Sequence, residues 1–86
     1  MKYIYFYGTW CQPCKQLSPI MSNIESKGIS VLKIDVDENY NLASSNNIRN
    51  VPTVILVDKN GNEINRTIGV KSEDYFIENY RNNLAM

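Results

Sequence analysis

The stretch Trp10-Cys11-Gln12-Pro13-Cys14 decides the fold of this chain. It holds the only two cysteines of the 86 residues, and it separates a run of β-forming residues from a run with helical periodicity. Two intervening residues let the thiols close a small disulfide ring with little rearrangement of the chain. A cysteine in the first turn of a helix also faces unpaired N–H groups and the positive end of the helix dipole, which stabilise a thiolate. The thiolate is the nucleophile of thiol–disulfide exchange, so the pattern indicates that chemistry.

Two other uses of the cysteine pair stay open. A zinc site needs four ligands, and the chain has no His and no further Cys, so only a dimer sharing four thiolates would supply them. A purely structural disulfide would close a very short loop and would constrain the unfolded chain little. We therefore expect redox chemistry, with no metal and no cofactor beyond the redox-active disulfide.

Size and composition predict a single domain over residues 1–86. Apolar residues make up 43% and charged residues 21%, as in ordinary soluble proteins. The formal net charge is zero, which gives no reason to expect a nucleic acid or an anionic membrane as a partner, and no apolar run approaches the ~18 residues of a membrane span. The N-terminal aromatic alternation is followed by no cleavage site, so we expect an intracellular, cytoplasmic protein and, most simply, a monomer.

Residue periodicity predicts the element order β-α-β-α-β-β-α. The strands are predicted at 3–7, 30–36, 53–57 and 63–68, and the helices at 13–27, 40–47 and after Ser72. Phe76, Tyr80 and Leu84 should pack the last helix onto the sheet. Strands joined through helices run parallel, and the hairpin adds an antiparallel edge. The predicted α/β fold is a four-stranded mixed sheet with helices on both faces, and Cys11 lies beyond the end of the first strand, where such sheets bind ligands.

The chain resembles the thioredoxin family from about residue 3 to residue 84. The motifs that carry the resemblance are W-C-x-P-C-K at 10–15, Pro19, Val51-Pro52-Thr53, and Asn60-Gly61 followed by Gly69. Compared with full-length thioredoxins, the expected fold lacks the N-terminal strand and helix and is the minimal thioredoxin-like core. Glutaredoxins share such a core, but residues 68–72 do not match their glutathione-binding segment. The resemblance implies a thiol–disulfide oxidoreductase that acts as an electron donor to protein disulfides.

The resemblance also implies a role for each site residue. Cys11 would be the exposed nucleophile, and Cys14 the better-buried resolving thiol. Pro52 would follow a cis bond and present the Val51 backbone to the substrate; a trans Pro52 ahead of an edge strand is the alternative. The substrate-docking surface would comprise Trp10, Gln12, Pro13, Val51, Pro52 and Gly69, although Trp10 could instead fill the core.

Two departures from the family bear on the chemistry. Gln12 replaces the usual Gly, and the residues between the cysteines tune thiolate stability and redox potential. Tyr5 stands where thioredoxins place a buried carboxylate. Because a phenol with a pKa near ~10 is a poor base, Tyr5 either packs as an aromatic or gives only supporting help in proton transfer. We expect Lys33, which matches a family lysine near the site, water or the Cys11 thiolate itself to take over the proton transfer. Lys33 could instead be an ordinary surface lysine.

The resemblance implies two kinds of partner. Clients would be disulfide-containing proteins, among them ribonucleotide reductase, and electrons would come from a flavin- and NADPH-dependent reductase of the thioredoxin reductase kind. Two other functions stay open: a glutathione-coupled redoxin, and a non-catalytic binding subunit that uses the fold as a rigid module.

Overall fold

The computed structural model describes residues 1–84. Its elements follow the predicted order: β1 Lys2–Tyr7, α1 Gln12–Ser26, β2 Val31–Asp35, α2 Tyr40–Ser45, β3 Thr53–Val57, β4 Glu63–Ile68 and α3 Glu73–Leu84.

The four strands form one mixed sheet in the order β2-β1-β3-β4. β1 runs parallel to β2, whereas β3 runs antiparallel to both β1 and β4. The pairing of Phe6 with Thr53 places the carboxyl end of β1 beside the start of β3. The loop that carries Cys11 and the segment that carries Pro52 therefore meet at the same end of these two central strands.

Helices cover both faces of the sheet, as predicted. Every residue of β3 is buried, because this strand lies between two neighbours and under both helical layers. One core lies under α1 and α3 and contains Tyr3, Tyr5, Leu17, Met21, Ile24, Ile29, Val54, Leu56 and Phe76. The other lies under α2 and contains Phe6, Ile34, Ala43, Ile55 and Val57. The helical spacing of apolar residues that predicted α1 thus matches the side of the helix that is buried.

Two details of the helices differ from the prediction. α2 ends at Ser45 instead of residue 47, because Asn47 takes a left-handed φ of 57° and Ile48 N–H donates back to the Ala43 carbonyl at 3.0 Å. Leu84 does not pack onto the sheet: it is 58% exposed and lines an open pocket at the ends of α1 and α3. Phe76 is fully buried as expected, and Tyr80 is partly buried against the same core.

Candidate active site

Cys11 is the residue at which α1 begins. It is the N-cap, with extended backbone angles, and its Sγ accepts a hydrogen bond from the Cys14 N–H at 3.2 Å. Pro13 fits in this first turn because it has no N–H to leave unpaired. Cys11 and Cys14 form a disulfide across a Cα–Cα distance of 5.2 Å. The predicted pair is therefore joined by a disulfide. It lies at the N-terminus of α1, which is the positive end of the helix dipole.

The sulfur of Cys11 is less accessible than expected. Cys11 is 4% exposed and Cys14 is 2% exposed, so the prediction of an exposed nucleophile is wrong for the disulfide form. The reason is a segment distant in sequence: the Val51 carbonyl oxygen lies 3.6 Å from Cys11 Sγ. In this form the backbone of Val51 therefore lies against the Cys11 sulfur.

The segment before β3 brings three predicted docking residues together. The Val51–Pro52 bond is cis, as the resemblance implied. Gly69 N–H donates to the Pro52 carbonyl at 3.0 Å, which ties the end of β4 to this segment. Gly69 has a φ of +93°, a left-handed conformation that favours glycine. The hydrogen bond thus joins Gly69 to the Val51–Pro52 segment, which contacts Cys11 through the Val51 carbonyl.

Trp10 is a surface residue, so the alternative of core filling is wrong. The side chain is 64% exposed, and its Nε1–H donates to Asp37 Oδ2 at 2.8 Å. The ring also lies against Gly8, where an added Cβ would come within 2.8 Å of it. Sequence reasoning missed both Gly8 and Asp37. The glycine close to the motif was the one feature of the sequence that could have indicated a contact with Trp10. The other partner, Asp37, is brought to Trp10 only because β1 and β2 end side by side.

A shallow groove of about 300 Å³ begins at Trp10. Its lining residues are Trp10, Val36, Ile48, Arg49, Asn50 and Val51. The other two predicted docking residues, Gln12 and Pro13, are exposed in the first turn of α1. The apolar wall of the groove and the Val51 backbone suit an extended peptide, which pairs through its main chain and places side chains in pockets.

The two residues predicted to support proton transfer make other contacts. Tyr5 is fully buried, its hydroxyl donates to the Cys14 carbonyl at 3.0 Å, and it is 2.9 Å from Ser18 Oγ. Burial raises the pKa of Tyr5, which keeps the phenol neutral. The Lys33 ammonium donates to Ser22 Oγ at 2.9 Å, further along α1 than the disulfide. These contacts favour Tyr5 as a hydrogen-bond donor and Lys33 as an ordinary surface residue. They favour neither residue as the acceptor of a thiol proton.

Comparison with known proteins identifies the family. The thioredoxin family model matches residues 2–82. The chain belongs to the thioredoxin family. It is 40% identical to a thioredoxin of Rickettsia bellii over 92% of this chain and 77% of that protein, and 38% identical to a thioredoxin of Chlamydia pneumoniae over 81% and 70%. Thioredoxin-2 of the malaria parasite matches with a TM-score of 0.87 and 30% identity, over 93% of this chain and 80% of that one.

Family membership and the cysteine pair together give the activity. Thioredoxins are disulfide oxidoreductases that act on disulfide-containing substrates and are served by a thioredoxin reductase, and this chain carries the redox-active Cys11–Cys14 disulfide at the expected position. The protein is therefore a thiol–disulfide oxidoreductase. Within residues 1–84, no helix combines the length and apolarity that crossing a membrane requires. Nor do the residues of that range contain a cluster of His, Cys, Asp and Glu suited to a metal ion.

Proposed function

We propose that this thioredoxin-family protein donates electrons to disulfides of client proteins, with Cys11 as the attacking thiol and Cys14 as the resolving thiol. The N-cap geometry carries the proposal. Cys11 Sγ already accepts the Cys14 N–H and lies at the positive end of α1, where a thiolate is stabilised. Cys14, three residues later in the helix, sits within bonding reach of the same sulfur.

The reaction proceeds in two exchanges. In the reduced protein, the Cys11 thiolate attacks one sulfur of the client disulfide, forms a mixed disulfide and releases the other client sulfur as a thiolate. The Cys14 thiolate then attacks Cys11 Sγ, which forms the Cys11–Cys14 disulfide and releases the second client thiolate. Two electrons pass to the client, and the protons lost by the two cysteines are balanced by those the client thiolates take up from water.

The docking residues position the client for the first exchange. The Val51 carbonyl lies beside Cys11 Sγ and pairs with the main chain of an extended client segment. Trp10 forms one wall of the adjoining groove, while Pro52 and Gly69, joined by their hydrogen bond, hold the Val51 backbone in place. Gln12 and Pro13 are exposed in the first turn of α1, between the two cysteines.

The proposal extends to the cellular setting of the protein. We infer that residues 1–86 form one domain that works as a monomer in the cytoplasm, that a flavin- and NADPH-dependent reductase returns it to the dithiol form, and that ribonucleotide reductase is among its clients. Proteins of the family support the general pairing of reductase and disulfide client.

Paired serine substitutions test the assignment of the two thiols. The Cys14→Ser variant keeps the attacking thiol but cannot resolve, so it should trap client proteins as mixed disulfides that a reductant releases. The matched Cys11→Ser variant should trap none and should reduce no client. Equal trapping by both variants, or trapping by Cys11→Ser alone, would overturn the proposed roles. If the unmodified protein reduces no client disulfide and neither substitution changes what the protein supports in the cell, the result would point instead to a binding subunit.

A further inference from the structure

The backbone of Cys14 is held from two directions. Its N–H donates to Cys11 Sγ at 3.2 Å, and its carbonyl accepts the hydroxyl of Tyr5 at 3.0 Å. Tyr5 belongs to β1, so this second bond fixes the first turn of α1 to the sheet. The N–H and the carbonyl of Cys14 belong to the two peptide groups that meet at its Cα. A side chain of β1 therefore helps to hold the Cα from which the N–H points at the attacking sulfur.

The hydroxyl of Tyr5 is not available to accept a proton from a thiol, because both of its hydrogen bonds are made to other groups. A phenol has one hydrogen, and here that hydrogen goes to the Cys14 carbonyl. Ser18 Oγ, 2.9 Å away, must then be the donor of the Tyr5–Ser18 hydrogen bond. Burial raises the pKa of Tyr5, so the alternative of a phenolate acceptor costs more here than in water.

We propose that Tyr5, itself held by Ser18, is a positioning residue for the Cys11 thiolate: by anchoring the Cys14 carbonyl, it fixes the Cys14 Cα and, through it, the N–H that points at Cys11 Sγ. A hydrogen bond to the charged form of a group lowers the pKa of an acid, and it does so only when it is aligned. Loss of the Tyr5 hydroxyl should therefore raise the pKa of Cys11 and slow its attack at neutral pH, without removing either thiol.

Tyr3 provides a matched control on the same strand and the same face. Like Tyr5, it is buried in the core under α1 and α3, and its hydroxyl donates to a backbone carbonyl, that of Phe76 at 2.7 Å. That carbonyl belongs to α3 and not to the helix of the disulfide. Tyr3→Phe and Tyr5→Phe should therefore cost comparable stability, whereas only Tyr5→Phe should change the reactivity of Cys11.

The inference rests on the proposed role of Cys11, and one experiment separates the two. The reduced protein is alkylated with iodoacetamide between pH 5 and 9, and mass spectrometry assigns the modified residue at each pH. We expect Cys11 to react first, and Tyr5→Phe to lower its rate at pH 7 about threefold, a part of what losing a whole charged hydrogen bond would cost. The midpoint of the rate profile should move to higher pH. Ser18→Ala should give a smaller change in the same direction.

Each contrary result has a distinct meaning. Preferential alkylation of Cys14 in the unmodified protein would refute the proposed function. If Cys11 reacts first but Tyr5→Phe leaves its rate profile unchanged, or shifts it no more than Tyr3→Phe does, the positioning role is refuted while the proposed function stands. Far-ultraviolet circular dichroism of all three variants shows whether they are folded at the temperature of the assay. Should Tyr5→Phe be unfolded there, Ser18→Ala, at the half-buried end of the same pair, decides the matter by the same criterion.

Discussion

Replacing Gly8 by Ala should displace Trp10 without disturbing the cysteines. A Cβ at Gly8 would lie 2.8 Å from Cε2 and 2.9 Å from Cζ2 of the indole, closer than carbon atoms approach, so the ring must move. The ring is an exposed side chain and can swing away from the loop. It would then lose its hydrogen bond to Asp37 and its place in the wall of the groove.

The cost of this displacement can be worked out from the exposure of the ring. Trp10 is 64% exposed, so roughly a third of an aromatic side chain of about 250 Å² is covered. At about 25 cal/mol per Å², re-exposing about 90 Å² costs at most about 2 kcal/mol of unfolding free energy. A client that binds against the indole would lose a smaller area of contact. A loss of about 1 kcal/mol of this binding free energy would lower kcat/KM for a protein disulfide about fivefold.

Fluorescence reads the displacement directly, because Trp10 is the only tryptophan. The emission of Gly8→Ala should shift to longer wavelength in both redox states, and kcat/KM should fall as stated. Gly61→Ala is the control: Gly61 has a φ of +84° with open space around it, so Ala costs about 1 kcal/mol through backbone strain in the β3–β4 turn but leaves Trp10 in place. Unchanged emission in Gly8→Ala would refute the packing argument. Shifted emission with unchanged kcat/KM would refute the docking role of Trp10.

Three further predictions test other parts of the account. Gly69→Ala meets no atom but places a side chain at a φ of +93°, so it should strain the Pro52 contact and lower kcat/KM several-fold; equal kcat/KM would remove Gly69 from the docking surface. Burial raises the pKa of Tyr3 from 10.0 to about 12, so the stability that its neutral form contributes is complete below pH 10 and is lost as the pH rises through about 12. Urea unfolding should show this loss in the unmodified protein and a flatter curve in Tyr3→Phe; identical curves would contradict it. Ser72→Ala removes the cap that accepts the Tyr75 N–H at 3.1 Å, which should lower the unfolding free energy by about 1 kcal/mol with no change in kcat/KM, while Ser72→Thr should retain most of it.

The fold was predictable because local patterns agreed with long-range packing. Residues 53–57 form a near-continuous apolar run, which is typical of a strand covered on both faces, and all five are buried. Apolar residues recur at helical spacing in α1, and all of them are buried except Ile20, which is half-buried: Leu17, Ile20, Met21 and Ile24. Where the prediction was wrong, a local pattern lacked a tertiary partner: Leu84 continues the apolar stripe of α3 but remains exposed in the last turn.

The candidate site was predictable only in part. The cysteine pair and the exposed Trp10 follow from one contiguous motif at 10–15, whereas the cis bond before Pro52 follows from the family resemblance. The burial of Cys11 follows from neither, since it depends on the Val51 carbonyl, which folding brings from another loop. The Asp37 acceptor and the Ser18 hydroxyl were missed for the same reason: polar residues of these types are common, and only the packing of α1 and β2 against β1 selects these two.

The reduction potential of the Cys11–Cys14 pair tests the central claim most directly. It is measured by equilibrating the protein with glutathione buffers and following the Trp10 emission of each redox state. An electron donor to protein disulfides should have a potential in the thioredoxin range, roughly −270 mV, despite Gln12 and Tyr5. A potential of roughly −180 to −120 mV would mean that the disulfide readily oxidises other thiols, and it would contradict the proposal that the protein reduces its clients.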